Sequence, residues 1–483
     1  MNVCDLVLRT CSRQADRIAL LEGTQSVTYG DLAHLVKQWA GHLIEQGGRP
    51  REVVAVLAPN GLDFATALLG VLASGRAVLP LNAALPPEEL GFILRDAGVE
   101  TLIATKPLLE KAEGLRTHVP AITRILSTNL SELGPEGSGH ADGDDMAVLL
   151  YTSGTSGRPK GVMLSHSNLL SNVEGCLQLL EMTGDDRFLA VLPFFHAFGI
   201  STSLLIPLVV GATVEILPAI VPSKILQALA ERNITCMTAV PSVYGILARC
   251  APAQFPNRLR LAVAGGEPLP ARISQAWRAK FGVPLLEGYG ATETSPVITL
   301  TPPTAEPVPG RAGRPLPNLE LRIVGESGPL PQGENGEIQV RGPSVMKSYW
   351  NRPAETLEAF DADGWYRTGD LGSLDDEGYL HITGRQKELI ISAGENIFPG
   401  EIEELLRQLP GVAEVAVVGV PDALRGEIPK AFICPEKGRL LDAGELREQL
   451  RGRLAEFKLP RLFEFRAELP RTATGKVLKR ALA

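Results

Sequence analysis

A run of small polar residues in the first third of the chain has the chemistry of a phosphate-binding loop. Residues 151–161 read YTSGTSGRPKG and continue the apolar, strand-forming run MAVLLY. Glycines let backbone N–H groups turn toward one point, hydroxyls add donors, and Lys160 supplies a positive charge. The spacing is not that of a Walker A loop, in which Ser or Thr follows the lysine, and a flexible Gly/Ser surface loop is the alternative. The residues expected to hold phosphate are Thr152, Ser153, Gly154, Thr155, Ser156, Gly157 and Lys160.

Three other residues in turn-like segments could work with such a loop. Glu293 lies in GYGATET and offers the hard oxygen donor that Mg²⁺ prefers when it bridges nucleotide phosphates. Asp370 lies in YRTGDLG, where it could accept hydrogen bonds from both hydroxyls of a ribose or simply cap the turn. Lys476 lies in RTATGKVLKR, and a solvated basic tail is the alternative for a lysine in this position.

The elements that must position these residues alternate along the chain. Over the first 125 residues, helical spacing at 31–45 alternates with the strand-like runs VVAVLAPN, AVLPLN and TLIAT. This rhythm predicts an α/β fold with a parallel sheet and helices on its faces. Residues 126–145 are rich in Gly, Ser and Asp and are predicted to form a surface linker between two sheet-building units, the second of which ends near residue 300.

Beyond residue 300 the pattern changes twice. Short strands separated by Gly and Pro at 301–384 predict a small antiparallel β module, and an amphipathic helix begins at Pro399. We therefore place a domain boundary between residues 386 and 387. The expected architecture is a large N-terminal domain, 1–386, with two α/β subdomains and the β module, followed by a small α+β domain, 387–483.

Composition excludes several classes of partner. Lys and Arg number 47 against 55 Asp and Glu, so the net charge of −8 argues against nucleic acid and against binding to anionic lipid through charge alone. No apolar run is long enough for an integral membrane segment. The six cysteines include no C-x-x-C pair, which favours free thiols in a reducing, cytoplasmic compartment.

Taken together, seven motifs in one order resemble the adenylate-forming superfamily, which comprises acyl- and aryl-CoA synthetases, adenylation domains of peptide synthetases, and luciferases. They are LASGRAVLPLN, the phosphate loop, LPFFHAFG, GYGATET, YRTGDLG, GRQKELIISAGENIFPGEIE and PRTATGK. The segment SAGENIFPGEIE is most similar to that of bacterial fatty-acyl or aryl-CoA ligases. The resemblance implies ATP, Mg²⁺ and CoA as cofactors, and a small domain that moves.

The same resemblance implies a role for each site residue. Glu293 would hold the metal, Thr292 the α-phosphate, and Asp370 the ribose. Lys476 would be the catalytic lysine, which bridges the acid's carboxylate and the α-phosphate as negative charge develops. Arg385 would contact ribose or phosphate oxygens, and Lys387 would be the hinge. Segments that hold the nucleotide, with Tyr289 able to stack on the base, correspond to Gly265, Gly266, Glu267, Pro268, Glu287, Gly288, Tyr289 and Gly290, and those lining the pantetheine tunnel to Ala393, Gly394 and Glu395.

The segments that match the acid-binding wall of relatives contain no Lys or Arg, so a second carboxylate on the substrate would be buried without a partner. They also lack the Asp with which amino-acid-activating relatives bind an ammonium group. His196 matches a position that gates or lines the acid site, so it joins the catalytic and pocket candidates, with a packed core histidine as the alternative. The expected lining is Phe194, Phe195, His196, Phe198, Val240, Gly265, Gly290, Pro296 and Val297.

The resemblance therefore implies an AMP-forming acyl-CoA synthetase for an apolar monocarboxylic acid, fatty or aryl. One alternative is a ligase that loads a carrier-protein thiol in place of CoA. A second is a non-catalytic nucleotide- or acyl-binding protein, and a light-emitting oxygenase is a third on grounds of fold alone. Assembly as a homodimer stays open.

Overall fold

The computed structural model describes residues 2–129, 133–152, 159–392, 395–422, 424–471 and 477–482. Its helices are α1 Val3–Arg13, α2 Tyr29–Glu45, α3 Leu62–Ala73, α4 Pro87–Asp96, α5 Leu109–Leu115, α6 His166–Leu179, α7 Ala197–Ile200, α8 Ile206–Val210, α9 Pro222–Glu231, α10 Pro241–Cys250, α11 Ala271–Phe281, α12 Pro353–Ala359, α13 Pro399–Arg407 and α14 Ala443–Leu450. A π-helical turn, Ser201–Leu205, joins α7 to α8.

The strands up to residue 300 are β1 Ile18–Glu22, β2 Gln25–Thr28, β3 Val53–Leu57, β4 Ala77–Leu81, β5 Thr101–Ala104, β6 Arg124–Ser127, β7 Met146–Thr152, β8 Lys160–Ser165, β9 Arg187–Ala190, β10 Thr213–Ile216, β11 Cys236–Ala239, β12 Leu261–Gly265, β13 Leu285–Gly290 and β14 Val297–Leu300. The later strands are β15 Arg314–Pro315, β16 Glu320–Gly325, β17 Gly328–Pro329, β18 Gly336–Arg341, β19 Ser348–Tyr349, β20 Tyr366–Leu374, β21 Leu380–Arg385, β22 Ile390–Ser392, β23 Glu395–Ile397, β24 Val412–Asp422, β25 Gly426–Pro435 and β26 Leu462–Phe465.

Two mixed sheets, mainly parallel, form the centre of the chain, as the alternating pattern predicts. The first has the order β19-β8-β7-β4-β3-β5-β6, and the second has the order β15-β14-β13-β12-β11-β9-β10-β1-β2. Side chains of α1, α2, α3, α6 and the π-helical turn pack between them in one continuous core. Helices α9, α10 and α11 cover the outer face of the second sheet, and α4 and α5 cover that of the first. The result is five alternating helix and sheet layers.

The predicted role of residues 126–145 as a linker between two sheet units is wrong. β7 and β8 follow this stretch but belong to the first sheet, because β7 pairs in parallel with β4. The N-terminal hairpin β1–β2 belongs to the second sheet, where β1 pairs with β10. The stretch also begins within β6, and it later packs so closely on α2 that a Cβ at Gly41 would lie 1.9 Å from the carbonyl oxygen of Pro135.

Two smaller sheets complete the fold. Strands β16, β17, β18, β20 and β21 are all antiparallel to their neighbours, which confirms the predicted β module. Beyond Arg385, β22 to β26 form a fourth sheet that packs against α13 and α14 in hydrophobic clusters of its own. Among the described residues, no helix combines the length and the apolar character needed to cross a bilayer.

His166 makes the stability of this fold depend on pH. It begins α6 with no exposed surface, its Nδ1 accepts a hydrogen bond from the Val3 N–H at 3.3 Å, and its Nε2 is buried without a hydrogen-bond partner. Burial lowers the pKa of His166 from 6.5 to about 4. The unfolded chain therefore binds a proton between these values that the folded chain does not, so stability falls as the pH falls from 6.5 toward 4.

We predict that His166→Gln flattens this part of the pH profile. In the wild type, the shift corresponds to about 3 kcal/mol lost over the whole range, and thermal unfolding measured from pH 7 to pH 4.5 checks it. His140→Gln is the control, because the His140 side chain is 84% exposed. Equal pH slopes for the wild type and His166→Gln would contradict the assignment.

Candidate active site

The ends of the phosphate loop are fixed by a β-hairpin. Thr152 closes β7 and faces Lys160, the first residue of the antiparallel strand β8. The Lys160 ammonium lies 5.3 Å from the centroid of the Tyr349 ring. The remaining candidates of this loop lie outside the described residues; they are Ser153, Gly154, Thr155, Ser156 and Gly157.

Glu293 sits in a turn that is held from two sides. Thr292 to Thr294 form a 3-10 turn between β13 and β14. Before it, Gly290 is required, because a Cβ there would lie 1.9 Å from the carbonyl oxygen of Pro296. From the other side, the buried Asn172 of α6 donates to the carbonyl oxygens of Thr294 and Val297, at 3.2 and 2.8 Å. The turn therefore presents Glu293 from a rigid frame.

The Glu293 carboxylate has one oxygen already engaged. The Tyr349 hydroxyl donates to Oε1 at 2.9 Å, and burial raises the pKa of Glu293. A bound cation would oppose that shift, since it favours the charged carboxylate. With a hard oxygen donor, partial burial and Lys160 nearby, these residues fit Mg²⁺ that is shared with phosphate oxygens.

Tyr349 is absent from the sequence-based candidates. It lies in the polar stretch KSYWNRP, on a strand of two residues that no periodicity marks. The adjacent aromatic pair Tyr349–Trp350 is the one sequence signal that sets this stretch apart.

Asp370 forms a second cluster with two of the predicted residues. It is 7% exposed, and its Oδ2 accepts from the Tyr289 hydroxyl at 2.6 Å while its Oδ1 lies 3.0 Å from Nε of Arg385. Asp370 and Arg385 are direct partners across β20 and β21. The charge of Asp370 raises the pKa of Arg385. This arrangement suits a nucleoside. The base would stack on the face of the Tyr289 ring, and the ribose hydroxyls would donate hydrogen bonds to Asp370.

The two clusters act on each other electrostatically. Both Arg385 and Asp370 influence the ionisation of Glu293, in opposite directions. The structure therefore brings Lys160, Glu293, Tyr289, Asp370 and Arg385 to one region, where three sheets meet.

The remaining nucleotide candidates line the carboxyl ends of β12 and β13. Gly265 pairs with Gly288 across these strands, and the left-handed Gly266, with φ of +81°, turns the chain toward Glu267 and the exposed Pro268. Ligands of open α/β sheets bind at this edge. Glu287 lies one residue before Gly288. Its carboxylate accepts a hydrogen bond from the Leu269 N–H at 3.3 Å, and burial raises its pKa to about 8.

The acid-pocket candidates converge around the start of α7. The Phe195 and His196 rings lie 4.5 Å apart, and both are partly exposed. The Phe198 ring packs directly on Gly265, where a Cβ would lie 3.1 Å from its Cζ. Val240 precedes α10 and lies close to Gly266, where a Cβ would be 3.7 Å from one of its methyl groups. Two further candidates follow the Glu293 turn, namely Pro296 and Val297.

One expected lining residue is misplaced by the sequence argument. Phe194 has no exposed surface, its N–H donates to Asn60, and its ring packs 5.7 Å from that of Phe64. Phe194 therefore packs into the core, whereas its neighbour Phe195 stays partly exposed beside His196.

The hinge candidate lies at the junction of the β module and the fourth sheet. Lys387 is exposed on the 3-10 turn Gln386–Glu388. Its neighbour Glu388 is 2.7 Å from the Lys479 ammonium, which also contacts Glu403 of α13 at 2.8 Å. Glu395 begins β23, exposed and paired with Ser392. Three further candidates lie outside the described residues: Ala393, Gly394 and Lys476.

Comparison with known proteins gives two family matches along the chain. Residues 7–350 match the family described as AMP-binding enzyme, and residues 401–476 match the AMP-binding enzyme C-terminal domain. The chain is 38% identical to a feruloyl-CoA synthase of Amycolatopsis sp, over 95% of this chain and 94% of that protein. It is 36% identical to an indoleacetate–CoA ligase of Aromatoleum aromaticum, over 99% and 97%. It is 34% identical to a long-chain-fatty-acid–CoA ligase of Bacillus subtilis, over 98% and 92%.

Solved structures agree over the full length. ATP-bound MatB from Rhodopseudomonas palustris superposes with a TM-score of 0.93 at 33% identity, covering 100% of this chain and 98% of that one. The o-succinylbenzoate CoA synthetase MenE from Bacillus subtilis, in complex with ATP and magnesium ion, gives 0.89 at 33% identity, covering 99% and 98%.

We predict that Glu287 makes the protein less stable as the pH rises. The folded chain keeps a proton on this carboxyl up to about pH 8, whereas the unfolded chain loses it near 4.5, so stability is lost across that window. Glu287→Gln keeps an oxygen acceptor for Leu269 and should show a smaller fall in melting temperature between pH 5.5 and 8. Glu326→Gln, at an exposed hairpin turn, is the control. If the melting temperature of Glu287→Gln falls as much as that of the wild type, Glu287 does not cause this pH dependence.

Proposed function

The chain belongs to the AMP-binding enzyme family, and on that premise we propose that it is an ATP- and Mg²⁺-dependent acyl-CoA synthetase. It aligns with named CoA ligases and synthases over nearly the whole length of both chains. The observation that carries the proposal is the junction of the two clusters. Lys160, Tyr349 and Glu293 offer a phosphate and metal end, and Tyr289, Asp370 and Arg385 offer a nucleoside end.

In the first half-reaction, an oxygen of the acid's carboxylate attacks the α-phosphorus of ATP. The P–O bond to the β-phosphate breaks, which gives acyl-AMP and pyrophosphate. Mg²⁺ would neutralise charge on the phosphate oxygens. Lys160 and the hydroxyls and N–H groups of its loop would hold the leaving pyrophosphate, Glu293 the metal, and Thr292 the α-phosphate. Lys476 would stabilise the charge that develops between carboxylate and phosphorus.

In the second half-reaction, the CoA thiol attacks the acyl carbonyl and releases AMP. We propose that residues 387–483 rotate as a unit about Lys387, which withdraws Lys476 and brings Ala393, Gly394 and Glu395 beside the pantetheine arm. Among the described residues, two hydrogen bonds of Arg272 on α11 would have to break in that rotation. They run to the carbonyl oxygens of Val412, at 3.0 Å, and of Ala413. The ion pairs of Lys479 with Glu388 and Glu403 would instead travel with the small domain.

Among apolar acids, we propose an aryl acid over a long-chain fatty acid. The Phe198 ring rests on Gly265, where we propose that it closes the end of the acid pocket. A group of hydroxyls adjoins Phe198: Thr202 donates to the Phe198 carbonyl oxygen at 2.7 Å, and Thr238 hydrogen-bonds Thr202 at 3.1 Å and Ser203 at 3.0 Å. An alkyl chain would have to displace an aromatic ring and then lie against polar groups. A planar acid would stop at the ring.

The alternative acceptor is a carrier-protein thiol, which would use the same first half-reaction. A non-catalytic nucleotide- or acyl-binding protein on this fold would have no need of a catalytic lysine, the role proposed for Lys476, in addition to the Glu293 and Asp370 clusters. Five of the six cysteines are buried and all are free, as expected in a reducing compartment, and we propose a cytoplasmic location. A homodimer stays a proposal that size measurement in solution would test.

Pyrophosphate release, measured over a panel of acids with and without CoA, tests the activity. We predict acid-dependent release without CoA, and thioester when CoA is added. Lys476→Ala should lower acyl-AMP formation by at least about 100-fold, since it removes a charge that acts in the transition state. The same variant should convert supplied acyl-AMP and CoA to thioester at close to the wild-type rate.

Lys458→Ala is the control for this variant, because it removes another lysine of the same domain, one that pairs with Glu401 at 2.7 Å. Equal loss of both half-reactions in Lys476→Ala would sink its assignment. Acyl-AMP formation without any thioester from CoA would favour the carrier-protein acceptor.

Pocket depth gives a separate prediction. Phe198→Leu should raise the ratio of kcat/KM for octanoate to kcat/KM for 4-hydroxyphenylpropenoate by about 10-fold. The smaller side chain would deepen the acid pocket next to Gly265. Phe465→Leu, on the surface of the fourth sheet and 40% exposed, should leave the ratio unchanged. A ratio unaffected by Phe198→Leu would show that this ring does not limit the acid.

A further inference from the structure

A short segment, 346–350, joins the metal end of the site to the phosphate end. At one end, the Met346 N–H donates to the carbonyl oxygen of Glu293 at 2.7 Å. At the other, the Trp350 N–H donates to the carbonyl oxygen of Gly161, also at 2.7 Å. Between them, Ser348 and Tyr349 pair with β8 as the edge strand of the first sheet. The segment thus ties the Glu293 turn to the strand that begins with Lys160.

The Tyr349 side chain repeats this connection. Its hydroxyl donates to Glu293 Oε1 at 2.9 Å, and its ring lies beneath the Lys160 ammonium, 5.3 Å from centroid to nitrogen. Tyr349 therefore contacts the carboxylate through its oxygen and the lysine through the face of its ring.

This geometry suits a residue that orients a metal ligand. A carboxylate bound through one oxygen to a fixed donor keeps its other oxygen in a defined direction. Partners of this kind set the orientation of ligating carboxylates, and their loss commonly weakens metal affinity about 10- to 100-fold. The ring face attracts the lysine at the same time.

We propose that Tyr349 is a positioning residue that couples metal binding at Glu293 to phosphate binding at Lys160. The proposal rests on the function proposed above, because it assumes that ATP and Mg²⁺ bind here. It adds a residue that the sequence motifs do not contain, and it assigns that residue to the metal-dependent part of ATP affinity.

Calorimetric titration with ATP tests this without turnover. The dissociation constant is measured once with saturating Mg²⁺ and once with EDTA, and the ratio of the two gives the contribution of the metal. We expect Tyr349→Phe to shrink this ratio about 10-fold or more by weakening MgATP, while the affinity for metal-free ATP stays within about twofold.

Tyr29→Phe is the matched control. It also removes a buried phenol hydroxyl that makes one short hydrogen bond, to the carbonyl oxygen of Ala212 at 2.7 Å, in another part of the fold. Melting temperatures of both variants are recorded, and the ratio for Tyr29→Phe should equal that of the wild type. If Tyr349→Phe leaves the ratio unchanged, or weakens both forms of ATP equally, Tyr349 does not couple the metal and the proposal fails.

A double-mutant cycle identifies the path of the effect. Glu293→Gln should remove most of the metal contribution, and adding Tyr349→Phe to it should change the ratio no further. A further loss in the double variant would place the action of Tyr349 elsewhere and overturn the proposal. A wild-type protein that binds neither form of ATP would instead refute the proposed function itself.

Discussion

Two carboxylates set in a partly water-excluded site, each fixed by a tyrosine hydroxyl, are the constraint on which the rest of this structure depends. Tyr349 holds Glu293 at 2.9 Å and Tyr289 holds Asp370 at 2.6 Å. Such groups are costly unless they are hydrogen-bonded or paired. A chain with a net charge of −8 therefore binds polyanions through local donors and a few cations, and bulk charge contributes little.

This constraint explains why three sheets meet at one place. Tyr349 comes from the edge of the first sheet, Glu293 and Tyr289 from the second, and Asp370 with Arg385 from the β module. Both hydrogen bonds from a tyrosine to a carboxylate therefore also join two sheets. In the proposed chemistry only the small domain needs to move, because Lys476 would approach for one half-reaction and withdraw for the next.

The layered fold and the β module could be read from periodicity, because both depend on local patterns. Strand pairing between distant parts of the chain cannot be read from periodicity. The stretch 126–145 therefore looks like a linker between two sheets, although β7, which follows it, pairs in parallel with β4 of the first sheet. Glu293, Asp370 and Arg385 could be found because each lies in a family motif. Tyr349 could not, since its role comes from an edge strand of two residues, and Phe194 was misplaced because neighbouring aromatics face opposite ways.

The central claim is that the site directs a carboxylate oxygen to the α-phosphorus of ATP, and isotope transfer tests it most directly. An acid labelled with ¹⁸O in both carboxylate oxygens is turned over with ATP and CoA, and the ¹⁸O content of AMP and pyrophosphate is measured by mass spectrometry. We predict one ¹⁸O in AMP and none in pyrophosphate. Label in pyrophosphate or inorganic phosphate, or unlabelled AMP alongside thioester, would contradict it.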